Sequence, residues 1–323
     1  MIKQIIVPSL CRICIWKSII VPSLSHGCAV WLNNTNESKA LIKTIQYSMA
    51  KAIMGVRSSP AVSAVLGEFG WLPLKLILDR IRIKYYHRLN YDLPDNRLCK
   101  QVFNELLGTY DGQAKPPWPY IYEIHQILIN VGMDRALTSK NDGWLQPYRK
   151  LSLESYKLEF FQDIDDKSSL YWFRLFKGST FGSKYIYDFG NFTGVRLKFL
   201  ARVGCLGLNE DLARWGLSHE TCNLCHREKE DLPHFMFKCS ATNHIRVKYV
   251  YILENSLREC GMEHVWYKYM GSSQIRKLCF LLGEQAFGFG NNVGSLFDFI
   301  CKKFITEAWH YRRESLGDSL SPT

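Results

Sequence analysis

Apolar and polar positions alternate along this chain mainly with a helical period. Between residues 36 and 56, Leu41, Ile42, Ile45, Met49, Ala52 and Ile53 fall on one stripe, with Lys39, Lys43 and Lys51 off it. That spacing predicts a helix capped by Asn36 or Ser38 and stopped by Gly55 and Ser58-Ser59-Pro60. A short helix over 61–68 follows, then the turn Gly70-Trp71-Leu72-Pro73. Pro73 suits the start of a helix over 74–89, apolar on Leu76, Ile77, Ile81 and Tyr85. Helical patterns recur at 120–138, 150–162 and 243–260. Ser295 and Asp298 have capping-box spacing for a last helix, whose apolar positions are Leu296, Phe297, Ile300, Phe304, Ala308 and Trp309. Lys302, Lys303, Arg312 and Arg313 decorate that helix. Residues 168–203 are aromatic-rich and glycine-punctuated, and their type stays open. Strand-like alternation is scarce, so the expected class is mainly α.

The stiff stretch Lys115-Pro-Pro-Trp-Pro119 marks a boundary. Four segments result: helical 1–110, a linker and helical region 111–185, a small module 186–245 and a helical 246–323. At the N-terminus, residues 2–14 and 16–28 share Ile-Ile-Val-Pro-Ser-Leu. The repeat is too short for a solenoid and reads as a local tandem duplication. It brings Cys11, Cys14, His26 and Cys28 close in sequence, but an apolar segment with incidental thiols explains them better than a metal set.

Composition narrows the classes. The 323 residues are 47% hydrophobic and 14% aromatic, which excludes a disordered chain. Eleven cysteines, an odd and sparse number, exclude a disulfide-stapled miniature domain. No apolar run reaches the length of a bilayer span and no secretory signal pattern stands at the start, so the expectation is an intracellular protein of nucleus or cytoplasm. The net charge of +11 is uneven. Residues 1–110 carry +8, residues 111–185 +1, residues 186–245 zero and residues 246–323 +2. A basic surface attracts polyanions, RNA or DNA among them, though a solvated basic face needs no partner. Arg80, Arg82, Lys84 and Arg88 are the candidate phosphate contacts.

Candidate chemistry is concentrated in one place. Cys222 and Cys225 are two residues apart, followed by His234 and Cys239. Three thiolates and an imidazole suit Zn²⁺, and four protein ligands leave no open position, so such a site is structural. The loop is too poor in apolar residues to fold alone, and metal would supply its stability. Pro233 predicts that His234 opens a helical turn, with Cys239 about one turn on. His226 and His244 are rival nitrogen donors. His226 adjoins Cys225, an awkward geometry for joint ligation.

The stretch Thr221–Cys239 resembles the zinc-binding module C-terminal to the reverse transcriptase of non-LTR retrotransposons, including acidic residues shortly before the histidine, here Glu230 and Asp231. Leu197–Gly207 and Gly216 resemble its lead-in. Ile20–Trp31, Met54-Gly55-Val56 and Glu68–Pro73 resemble the thumb region after the polymerase palm, with His26 where the family often has Tyr. The resemblance covers roughly the first 90 residues and 195–240. It implies a thumb-like helical region, an irregular linker, a zinc module and C-terminal helices, with nucleic acid as partner. The palm carboxylates that hold two catalytic metals would precede residue 1. Asp163, Asp165 and Asp166 read as a solvated acidic loop. The expectation is a non-catalytic, nucleic-acid-binding fragment. The alternatives are part of a longer RNA-directed DNA polymerase, or a host-recruited zinc-stabilised protein-interaction module.

Overall fold

A computed structural model describes residues 9–30, 36–56, 60–112, 119–177, 181–188 and 190–317. The fold is mainly α, and the one β-bridge among the described residues joins Thr221 and Lys229. The helices run α1 (Ser9–Ile15), α2 (Val21–Ser25), α3 (Asn36–Met54), α4 (Val62–Phe69) and α5 (Leu74–His87). Next come α6 (Leu98–Gly108), α7 (Tyr120–Ile129), α8 (Leu145–Asp166), α9 (Tyr171–Lys177) and α10 (Phe192–Arg202). The last five are α11 (Asn209–Arg214), α12 (Asn243–Glu259), α13 (Glu263–Met270), α14 (Gln274–Leu281) and α15 (Asn291–Ser315). No helix among the described residues is long and apolar enough to cross a membrane.

The chain divides into two compact units that interleave along the sequence. The first comprises residues 1–10, 50–71 and 164–323; the second comprises 11–49 and 72–163. In the second, Ile83, Tyr86, Leu89, Phe103, Ile121, Ile124, Leu128 and Tyr148 form the core. The Tyr86 hydroxyl donates to the Leu137 carbonyl at 2.6 Å, so a ring buried among apolar groups keeps its polar end satisfied.

The first unit is organised around α15, which packs on α10 and α12. Its interior holds charges as well as hydrocarbon. Arg202 and Glu68 are both fully buried. Lys198 and Lys302 both pair with Asp298. Burial alone would raise the Glu68 carboxyl, but the Arg202 and Lys177 charges outweigh it and hold the group below its ordinary range. Gly70, at φ +64°, ends α4 and meets Gly182 so closely that a Cβ on Gly70 would lie 2.8 Å from the Gly182 Cα. The approach lets Gly182 and Ser183 donate backbone hydrogen bonds to the Gly67 and Glu68 carbonyls.

Several sequence expectations are corrected. In α5 the buried stripe is Leu74, Leu78, Ile83 and Tyr86, with Asp79 and Arg82 among them, not Leu76, Ile77, Ile81 and Tyr85. A helix with apolar residues on most sides leaves the buried face to tertiary contacts. The pattern at 120–138 breaks at Ile129, where Gly132 at φ +69° turns the chain into a 3-10 segment at Asp134–Thr138. Asp163, Asp165 and Asp166 end helix α8 rather than forming a loop. Within 168–203, whose type the pattern does not fix, α9 and α10 are helical. Helix α15 starts at Asn291, so Ser295 lies inside it and caps nothing. Lys302 and Arg312 are buried, not decorative, because carboxylates meet them inside. Lys115–Trp118 and Ser58-Ser59 lie outside the described residues, as does most of the first repeat copy.

Candidate metal centre

The chain enters the centre from α11 through a tight hairpin. The Cys222 amide donates to the Glu228 carbonyl at 2.9 Å, and the Glu230 amide to the Glu220 carbonyl at 2.8 Å. At the hairpin tip the His226 amide returns to the Cys222 carbonyl at 2.9 Å, which folds Cys222–Cys225 into a knuckle. His226 carries φ +56°, the left-handed region, and is the only non-glycine there among the described residues.

Pro233 opens the second half. His234–Lys238 forms a π-helical turn, and the Cys239 amide reaches back to the His234 carbonyl at 2.9 Å. The Asp231 carboxylate accepts from the His234 amide at 2.7 Å and caps the turn. The wider π turn sets His234 and Cys239 on one side.

These two halves bring the donor atoms of Cys222, Cys225, His234 and Cys239 within 4.8 Å of one another. The Cys222 and Cys239 sulfurs are 3.9 Å apart. Nε2 of His234 is 3.4 Å from the Cys225 sulfur, so this nitrogen faces the cluster. The other ring nitrogen, Nδ1, has no hydrogen bond but lies 3.6 Å from Glu228 Oε2. Without a cation, burial pushes the Cys222 thiol up to about 12. Burial also raises Cys225, but hydrogen bonds from the Arg227 and Glu228 amides and from Cys222 outweigh it and leave this thiol lowered. A cation held among these sulfurs would favour their thiolate forms. The four groups are a set that can hold a metal ion.

The rival histidines lie elsewhere. His226 is exposed at the tip, and His244, on α12, stacks edge-on against Tyr311 at 5.1 Å. Cys11 and Cys14 are exposed and Cys28 is buried, and none joins a metal set among the described residues.

The sequence marks Glu230 only as an acidic residue before the histidine, and gives no role at the site to the two arginines that hold it in place. Glu230 is buried beneath Cys222 and meets Arg312 through two short bonds. Arg246 of α12 donates to the Cys239 carbonyl at 2.8 Å and to the Met236 carbonyl at 3.0 Å. Both arginines follow the ligand motif in sequence, with no spacing that ties them to it. A basic residue on the buried stripe of an otherwise apolar helix was the available sign.

The basic candidates on α5 and just after it separate into two pairs. Arg82 is buried; it donates to the Cys28 carbonyl at 3.1 Å and faces Asp79 and Glu123 at 3.8 and 4.0 Å. Arg80 donates to the Arg149 carbonyl at 2.7 Å and to the Ser152 hydroxyl at 3.2 Å. Both guanidinium groups therefore serve the unit's own polar atoms. Lys84 and Arg88, one turn apart, are exposed. Comparison with family models, curated proteins and solved structures finds no match to this chain.

Proposed function

We propose that this chain is a zinc-stabilised, nucleic-acid-binding protein of the kind that follows the polymerase palm in non-LTR retrotransposon reverse transcriptases, and that it works by binding rather than by phosphoryl transfer. The observation that carries the metal reading is the size of the ligand cage. With Zn–S near 2.3 Å and Zn–N near 2.0–2.1 Å, a tetrahedron has S–S edges of about 3.8 Å and S–N edges of about 3.6 Å. The Cys222–Cys239 and Cys225–His234 edges are 3.9 and 3.4 Å. Three thiolates and one imidazole fill all four positions, so the ion would organise the loop and leave no site for substrate. The +8 charge of residues 1–110 supports a polyanion partner, with Lys84 near the end of α5 and Arg88 just past it as the presented cations.

Metal content of the purified protein tests the first part. One zinc per chain is expected, lost with unfolding of the 222–239 loop in Cys222→Ser. A metal-free wild type with the same fold would sink the reading. Titration of an RNA–DNA duplex at increasing salt tests the second: affinity should fall steeply with salt, and binding insensitive to salt would rule out backbone contacts.

A further inference from the structure

We infer that the metal cluster and helix α15 form one coupled unit, with Arg312 as the positioning residue that joins them; this rests on the metal reading above. Arg312 lies three residues before the end of α15, and Glu230 four residues before the ligand His234. Arg312 donates from Nε to Glu230 Oε1 at 2.8 Å and from Nη2 to Oε2 at 2.7 Å, a two-pronged pairing of buried groups. Glu230 Oε2 also accepts from the Asn209 amide at 2.8 Å, while Oε1 lies 3.7 Å from the Cys222 sulfur. Packing reinforces the link. Phe235, between the two later ligands, meets Phe304 and Trp309 of α15 at ring separations of 6.4 and 6.2 Å.

Charge gives the link a direction. Three thiolates around a dication leave the centre at −1. A second negative charge 3.7 Å from a ligand sulfur opposes that state unless it is neutralised. Arg312 supplies the neutralising cation from α15. Removing it leaves a buried, unpaired carboxylate against the cluster and weakens metal binding. By reciprocity, removing the metal loosens α15.

The test measures zinc and cobalt(II) affinity of the full chain by competition with a chelator, and amide hydrogen exchange with and without metal. Arg312→Met should weaken metal binding by roughly 10–100-fold. Glu230→Gln added to Arg312→Met should recover part of that loss, because it removes the unpaired charge; a purely steric role for Arg312 predicts no recovery. In the unmutated protein, chelation should raise exchange in Phe304–Arg312 together with Cys222–Cys239, leaving α7 unchanged. Unaltered affinity in Arg312→Met, or unaltered protection of Phe304–Arg312 after chelation, overturns the coupling alone. A wild type that takes up neither ion overturns the coupling together with the metal reading.

Discussion

The Glu228 carboxylate stands 3.6 Å from Nδ1 of His234, on the side of the ring away from the cysteine sulfurs. At this distance the pair is an electrostatic contact rather than a hydrogen bond, but the carboxylate stands on the side of the ring from which an acceptor orients a ligating histidine. Glu228 is more than half exposed and also faces Lys238 at 3.7 Å, so the effect is at the modest end. Glu228→Gln is expected to weaken metal binding roughly 10-fold without changing the fold. Chelator competition measures it, and an unchanged dissociation constant would remove Glu228 from the site.

His226 pays for its left-handed backbone, because a side chain there crowds the following carbonyl. His226→Gly should leave metal content at the wild-type level and raise stability by up to about 1 kcal/mol. His226→Val should lower stability by about 1–2 kcal/mol. Denaturant unfolding of the loaded proteins checks both. Loss of metal in His226→Gly would make His226 a ligand after all.

Asp211 sits in the first turn of α11, and burial pushes its carboxyl from 3.8 up to about 6, against hydrogen bonds from the Gly207 and Leu208 amides and the Arg214 charge. The folded state therefore holds this proton longer than the unfolded chain does. Stability from this group is greatest below pH 3.8 and declines as pH rises through about 6, by on the order of 2–3 kcal/mol. Asp211→Asn keeps an oxygen for the Gly207 amide and cannot ionise. Its stability relative to wild type should rise between pH 4 and 6 and then level off. Urea unfolding at several pH values reads the difference, and a constant gap would contradict it.

Lys84 and Arg88 can be separated from Arg82 by what their loss disturbs. Lys84→Ala and Arg88→Ala should each lower the salt slope of nucleic-acid binding by about 1 and leave stability within about 0.5 kcal/mol. Arg82→Ala should cost about 3 kcal/mol of stability, since it leaves the Cys28 carbonyl and buried carboxylates short of a partner. If Arg82→Ala instead weakened binding at unchanged stability, its assignment as an internal cation would fail.

Much of this architecture is legible in the chain. Helices α3, α4 and α12 are legible as helices because their signals are local, although α3 already includes Asn36 and Ser38, read as caps, and exposes Leu41 and Ala52 of the expected stripe. The ligand set is legible for the same reason: four donors within 18 residues can close on one point without help from afar. What escapes local reading is which face of a helix turns inward. On α5 several faces carry aliphatic side chains, and the choice of Leu78 and Ile83 over Ile77 and Ile81 is made by the partners. Arg202, Lys302 and Arg312 escape for a related reason. A cation reads as surface until its buried carboxylate is known, and Glu68 and Glu230 lie 134 and 82 residues away from their arginines.

The interleaving of the two units also sets a timetable for synthesis. Helix α4 belongs to the first unit, yet residues 72–163 of the second are made before the rest of the first unit. Ala64, Val65, Leu66 and Phe69, buried in the folded protein, are therefore synthesised well before most of the unit they belong to. At about 5–20 residues per second, Glu68 waits on the order of 10 s for Arg202. During that interval the apolar stretch Val62–Phe69 is made and waiting, and the Glu68 carboxylate has yet to meet the guanidinium that it is buried with in the folded unit.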